Sequence, residues 1–433
     1  MSKSHISGLM LAAPSSGSGK TVATLAVLRA LKFNGVDIAA AKAGPDYIDP
    51  GFHELACGRS SVNLDPWAMP SDRLCQLAHG QNSRNLLVEA MMGLFDGAAD
   101  GSGSAADLAA TLGIPVVLIV DAAKQSHSIA ALVHGFKSFR EDVKFAGVIL
   151  NKIGSSRHEG MLRAALSAID VPVLGAIPRN PELVLPERHL GLLQAQELRQ
   201  SEDFVAKAAA IFAKHCDLDA FAALFASIDN SSSGHVIPPL GSRIAIAKDE
   251  AFAFCYPHLL SDWRRQGVEL YFFSPLADEA PNENCDAIYL PGGYPELHAG
   301  KLAQAASFKS GMRKAADNGA LIYGECGGYM VLGKALIDAG GISHSMLGLL
   351  NLETSFAKRK LHLGYRDLEA SNFVYGAKLK AHEFHYTSAV CEEGEPLFKA
   401  RDAIGTELGS FGLRNSNVMG SYMHIIEVEQ GDG

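Results

Sequence analysis

Residues 320–333 read Ala-Leu-Ile-Tyr-Gly-Glu-Cys-Gly-Gly-Tyr-Met-Val-Leu-Gly, and such a stretch leaves the backbone little choice. An apolar run from Ala320 to Tyr323, glycines around a polar pair and a second apolar run predict a buried strand, a sharp turn and a helix. That turn lifts Cys326 to the strand's carboxyl end, beside unpaired backbone N–H groups. A nucleophile of acyl transfer needs this setting, because the oxyanion must land on donors already in place. The dipole of the following helix is expected to favour the thiolate. A lone cysteine is ordinarily a small buried hydrophobe. Here Gly324, Gly327 and Gly328 surround it, and a second glycine pair, in Pro291-Gly-Gly-Tyr-Pro-Glu, lies one strand–helix unit earlier. Cys326 is therefore read as a nucleophile.

A chain of 433 residues exceeds one ordinary core, so two or three domains are expected. No apolar run reaches the roughly 20 residues of a membrane span. The N-terminus carries no signal-like apolar segment, which points to a cytoplasmic protein. The seven cysteines are scattered and form no Cys-x-x-Cys pair, against a disulfide framework or a zinc ribbon. A net charge of −9 argues against nucleic acid as a partner, since phosphate binding needs a basic face.

The first half alternates continuous apolar strands with periodic helices. Strands are expected over 8–13, 36–42, 85–92, 115–121, 145–151 and 173–177, with helices over 21–33, 126–139 and 159–169. This pattern implies a parallel sheet covered on both faces. Residues 229–241, with Asn-Ser-Ser-Ser-Gly and Pro238-Pro239, read as a linker between a domain spanning 1–228 and another spanning 242–433. Beyond it the strand–helix pattern resumes through 243–247, 256–266, 269–273 and 287–290.

Directly after the first strand, Ala-Pro-Ser-Ser-Gly-Ser-Gly-Lys-Thr (13–21) opens a helix. The backbone of Ser16, Gly17, Ser18 and Gly19 would wrap phosphate oxygens, Lys20 would reach the β- and γ-phosphates, and Thr21 would offer its hydroxyl to Mg²⁺. Pro14 stands where the usual first glycine would be, but the strand–loop–helix context is intact. Ser15 is not the extra lysine of partitioning ATPases, which counts against a dimerisation switch. ATP chemistry then needs carboxylates at neighbouring strand ends. Asp46 and Asp49 follow the second strand, and Glu89 and Asp96 follow the third. All four are candidate metal or substrate-carboxylate ligands. Asp121 ends the fourth strand and is equally well a loop or cap residue. Asn151-Lys152 reads either as a nucleotide-base contact through the Asn151 amide or as a turn.

A thiol nucleophile needs a base, and His424, in Gly420-Ser-Tyr-Met-His, is the leading candidate. His382 and His385 alternate along another strand; without a third ligand of suitable spacing they read as structural or substrate-lining. The position two beyond His424, where glutamine hydrolases often carry an acid, is Ile426. Glu427 falls on the other side of the strand, so a working Cys–His pair is expected.

With these motifs assembled, the chain resembles the a,c-diamide synthases of cobalamin biosynthesis over essentially its full length. The shared segments are Ser-Gly-Ser-Gly-Lys-Thr, Lys-Ala-Gly-Pro-Asp-Tyr-Ile-Asp-Pro, Glu-Ala-Met-Met-Gly-Leu-Phe-Asp-Gly, residues 186–192, Leu-Pro-Gly-Gly-Tyr-Pro-Glu, Gly-Glu-Cys-Gly-Gly-Tyr and His-Glu-Phe-His-Tyr. The resemblance implies a P-loop, dethiobiotin-synthetase-like α/β domain joined to a class I glutamine amidotransferase domain lacking the usual third acid. It implies ATP- and glutamine-dependent amidation of a corrinoid polycarboxylate, with Mg²⁺. The likeness is greatest to enzymes acting on hydrogenobyrinic acid, while cobyrinic acid and nickel-sirohydrochlorin versions share the motifs. Gly293 and Gly327 would supply the oxyanion hole, and Arg157, Arg179 and Arg188 a basic substrate pocket. A homodimer is left open. The rival reading is a P-loop ATPase switch with an inactive amidotransferase domain as scaffold.

Overall fold

In the computed structural model, residues 5–184, 201–229 and 235–429 are described. Arg188 and the segment 186–192 lie outside them. The chain divides into two compact units, 1–234 and 235–433.

The first unit is built on strands β1 (Ser7–Ala12), β2 (Ile38–Ala43), β3 (Val62–Leu64), β4 (Asn85–Glu89), β5 (Val116–Asp121), β6 (Phe145–Ile153) and β7 (Val173–Pro178). They pair in the order β3-β2-β4-β1-β5-β6-β7, all parallel, and a short β8 (Ala226–Ser227) adds antiparallel to the start of β1. Strands such as β2, buried at all six positions, are covered on both faces, which is why they read as unbroken apolar runs. Leu25, Ala26, Val27 and Leu28 of the helix Lys20–Phe33 bury against Leu9, Leu11, Leu87 and Val117 of the sheet. Each such Leu or Val contributes roughly 1.5–3 kcal/mol by leaving water. Because β2, β4 and β1 are adjacent and parallel, their carboxyl ends lie together along one edge. Register then sets Lys42 of β2 and Leu11 of β1 opposite Glu89 of β4.

The second unit follows the expected alternation only at first. Strands β9 (Arg243–Ala247), β10 (Glu269–Phe273), β11 (Ala287–Leu290) and β12 (Leu321–Glu325) are parallel and separated by helices. After the helix Gly327–Leu332 the described residues form strands alone: β13 (Ala335–Ile337), β14 (Ser343–Ser345), β15 (Leu352–Ser355), β16 (His362–Glu369), β17 (Lys378–His385), β18 (Ser388–Glu392), β19 (Glu395–Asp402), β20 (Glu407–Asn415), β21 (Val418–Ser421) and β22 (Met423–Val428). The main sheet runs β10-β9-β11-β12-β21-β20-β19-β16-β17-β22, parallel up to β21 and antiparallel beyond; β14-β13-β15-β18 make a smaller sheet. The resumed strand–helix pattern thus covers less of this unit than expected. β16 and β19 are half exposed, as antiparallel strands with one wet face can be.

Residues 235–239 of the expected linker are held within this unit. Ile237 N donates to Asp262 Oδ2 (3.0 Å) and Trp263 Nε1 to Pro238 O (3.1 Å). No described helix is long and apolar enough to cross a membrane.

Candidate functional site

In the first unit, the helix Lys20–Phe33 opens on Gly19 at φ 89°, with no side-chain cap and no acid in its first turn. Its leading N–H groups therefore remain available to an anion. A β-carbon at Gly19 would lie 2.3 Å from Asn151 Nδ2. That amide donates to Ser18 O (2.9 Å), and Asn151 Oδ1 accepts from Lys152 N (2.9 Å). Asn151 thus braces the loop from below, with both ends of its amide bonded to backbone. Ser16 and Gly17 are exposed at the loop's crest, while Ser18 is buried. Lys20 Nζ donates to Met92 O (2.6 Å); burial pulls its pKa down, with Glu89 opposing.

Beside the loop lies a buried ionic cluster assembled from three strand ends. Thr21 Oγ1 donates to Glu89 Oε1 (2.8 Å) and lies 3.4 Å from Asp49 Oδ2. Lys42 Nζ pairs with Asp49, with Glu89 at 3.1 Å and with Asp46 at 3.6 Å. His53 Nε2 sits 2.7 Å from Glu89 Oε2. Burial would pull the proton from Lys42, yet Asp49, Glu89 and Asp46 hold its pKa above the ordinary lysine range. Asp49 is pushed up by burial, Asp46 and Glu89. Glu89 is held low, because Lys42 and His53 outweigh its burial.

Asp46, Asp49 and Glu89 are thus brought together with Thr21. Asp96 stands apart and exposed, its Oδ2 accepting from Gly93 N (2.8 Å). Asp121 is paired with Lys152 at 2.7 Å, and Arg157 and Arg179 are exposed. His53 was not singled out from the sequence. Its signal was the four-residue spacing from Asp49 along one helix, which puts both on one face. The donor set is hydroxyl and carboxylate oxygen, and Asp49 Oδ1 is buried with no hydrogen-bond partner. Thr21, Asp49 and Glu89 therefore fit a hard divalent cation.

In the second unit, Cys326 sits between β12 and the helix Gly327–Leu332 at φ 46°, ψ −103°, a strained backbone for any residue with a side chain. Its N–H donates to Ser421 O (2.8 Å) and its thiol points to Phe384 O (3.9 Å). Gly327 and Gly293 meet here: a β-carbon on Gly327 would come within 3.0 Å of Gly293 N. His424 lies against the same glycine turn, since a β-carbon on Gly292 would strike His424 Cε1 at 2.3 Å.

The expected thiolate is not what this setting favours. Burial pushes the Cys326 thiol well above its ordinary pKa and Glu296 adds to it; the Gly327 N–H opposes them without prevailing. A short helix dipole loses to complete desolvation. His424, by contrast, is pulled down to about 3 by burial, with His382 and His385 adding to it. At neutral pH the imidazole is therefore uncharged.

Glu427 is directed away from this chemistry, its Oε1 2.8 Å from His235 Nε2. The apolar Ile426 is fully buried. Strand β17 lies over the elbow: His382 pairs in register with His424, and His385 stacks on Tyr422 (4.1 Å). The two histidines were expected to lack a third metal partner. Pairing of β16 with β17 instead gathers His362, Glu383 and His385 within 4.8 Å. Arg366 also reaches Glu383 Oε2, at 2.9 and 2.7 Å, so a guanidinium already compensates that carboxylate. His382 is not in the group.

Two family models match. That of the CobQ/CobB/MinD/ParA nucleotide binding domain covers residues 9–193, and that of the CobB/CobQ-like glutamine amidotransferase domain covers residues 243–431. Curated relatives extend over the whole chain. A Brucella anthropi protein named hydrogenobyrinate a,c-diamide synthase is 57% identical over 428 residues, 97% of this chain and 98% of the relative. Proteins of the same name from Rhizobium meliloti and Mesorhizobium japonicum are 55% identical (98% of this chain, 100% of the relative) and 49% identical (96% and 98%).

Proposed function

The chain belongs to the hydrogenobyrinate a,c-diamide synthase family, and from that premise we propose that its two units divide one amidation, glutamine supplying the nitrogen and ATP the activation. The substrate is hydrogenobyrinic acid, amidated at its a and c acetate carboxylates. A cytoplasmic setting, where ATP and glutamine are abundant, fits this chemistry.

A carboxylate does not accept ammonia directly, because oxide is too poor a leaving group. In the first unit a substrate carboxylate oxygen attacks the γ-phosphorus, ADP leaves, and an acyl phosphate forms; ammonia then attacks its carbonyl carbon and phosphate departs. Lys20 and the N–H groups of residues 16–19 hold the phosphates. Mg²⁺ held by Thr21, Asp49 and Glu89, with Asp46 alongside, would supply charge neutralisation on the transferred phosphoryl group. Lys42 balances these carboxylates and His53 fixes Glu89.

In the second unit Cys326 Sγ attacks the glutamine amide carbon while His424 takes the thiol proton, and Gly293 and Gly327 N–H groups receive the oxyanion. His424 passes that proton to the leaving nitrogen, ammonia departs, and water hydrolyses the thioester to glutamate. A protonated resting thiol suits this order, because charge appears only once glutamine is present to receive it.

The observation carrying this reading is the strained Cys326 backbone at the contact between Gly293 and Gly327, with a neutral, buried His424 against the same glycine turn. A scaffold with a dead domain has no use for either. Mass spectrometry of hydrogenobyrinic and cobyrinic acids incubated with ATP, Mg²⁺ and glutamine tests the substrate. Two successive replacements of OH by NH₂ on hydrogenobyrinic acid alone are expected. Diamidation of cobyrinic acid alone would reassign the substrate, and no amidation of either would reject the reading.

A further inference from the structure

Three acids lie on or against the strand that carries His424, and two of them are spent. Glu427 is engaged by His235, and Glu383 by Arg366 and His385. The third is Glu325, the residue immediately before the nucleophile. Its side chain is 2% exposed, and its Oε2 lies 3.9 Å from His424 Nδ1. The same carboxylate grips the histidine's strand, Oε1 accepting from Ile425 N (3.3 Å). Tyr289 holds the oxygen that faces the histidine, its hydroxyl donating to Oε2 (2.8 Å).

We propose that Glu325 is the positioning acid of the glutaminase pair, set on β12 beside the cysteine rather than two residues beyond the histidine. This rests on Cys326 and His424 being that pair. The topology makes the substitution workable: Glu325, the last residue of β12, pairs in register with Ser421 at the end of β21, and β22 begins two residues later at Met423, which brings the Glu325 carboxylate within reach of His424 and Ile425. The position two beyond His424 can then be apolar Ile426 without loss of a carboxylate. At 3.9 Å the contact is an ion pair in waiting. As sulfur attacks, the proton leaves Sγ for the ring, and the imidazolium so formed faces a carboxylate where water is excluded. Burial raises the Glu325 pKa to about 7, which a cation forming beside it would reverse. When the proton passes on to the leaving nitrogen, both groups return to their resting state.

The test compares Glu325→Gln, which keeps shape and removes charge, with Cys326→Ser and His424→Ala. Glutaminase kcat and KM are read together with the thermal unfolding midpoint, which reports an intact second unit, and with amidation driven by ammonium salts, which reports the first. For Glu325→Gln we expect glutaminase kcat to fall on the order of 10²-fold, less than in a tightly bonded triad, with KM for glutamine changed by less than about 3-fold. Ammonia-driven amidation should be retained. Glu325→Asp, with the charge kept but withdrawn by one methylene, should recover part of the loss. A Glu325→Gln protein with wild-type kcat overturns the proposal, as does a rise in KM alone. If Glu325→Gln also loses ammonia-driven amidation, Glu325→Asp decides. An intermediate kcat with unchanged KM supports the assignment, and full kcat rejects it. Should Cys326→Ser or His424→Ala retain glutaminase activity, it is the underlying pair that fails instead.

Discussion

Around Glu89, Lys42 and Glu89 are buried together and hold each other charged at the expense of Asp49, which is pushed up, whereas around Cys326 equal burial leaves the thiol protonated and the histidine neutral. The same physical cost, desolvation, is met in opposite ways. The phosphate-loop unit offsets it with partners, because its cosubstrate arrives already carrying charge that must be matched. The elbow unit offsets it by neutralising, because its reaction creates charge only at the moment of attack. A site that stabilises existing charge is built as a network, and a site that generates charge is kept uncharged until substrate seals it.

The sharpest way to break this comparison is to remove the Lys20 ammonium. Lys20→Ala should lower amidation from either nitrogen source by on the order of 10³-fold or more, while glutamine hydrolysis persists. Normal amidation would mean that the loop does not hold ATP. Next in size is Lys42→Met, which leaves Asp46, Asp49 and Glu89 without their shared ammonium. Stripping one partner from a buried ion pair costs about 3–5 kcal/mol. A large fall in thermal midpoint near neutral pH, partly restored in acid, is expected, and an unchanged midpoint would show that the cluster is not a network.

The smallest effect concerns His424. Its folded-state pKa is depressed from 6.5 to about 3, so between those values the unfolded chain binds the extra proton. Stability from keeping this imidazole neutral is thus fully present above pH 6.5 and is lost as pH falls towards 3. From about pH 7 to about pH 5 the wild type should lose about 2 kcal/mol on this account. His424→Gln should lose correspondingly less in urea titrations at the two pH values. Equal losses would place a charged histidine at the elbow and erase the contrast.

How much of this could be read from the sequence follows the same division. The phosphate loop and the elbow are contiguous, each a strand, a glycine turn and a helix, so Lys20, Thr21 and Cys326 were legible from local pattern. The cluster around Glu89 was legible only in part. Asp46, Asp49 and Glu89 stood out as acids at strand ends, but their sharing of Lys42 and the approach of His53 depend on the register of β2 with β4. Desolvation was the hidden quantity at the elbow: spacing gives a helix N-terminus but not the burial that outweighs its dipole. Of the antiparallel half of the second unit only the strands carrying His382, His385 and His424 were legible, because strands with one wet face lose the continuous apolar signature. With it went the meeting of His362, Glu383 and His385, residues brought together by pairing rather than by spacing. Glu325 went unremarked because it neighbours Cys326 in sequence but His424 in space.

The most direct measurement of the division between the units is product formation by Cys326→Ser with glutamine and with ammonium as separate nitrogen sources. Diamide from ammonium at near wild-type rate and none from glutamine is the predicted result. Loss of both activities in a folded protein, or full activity with glutamine, would contradict the account.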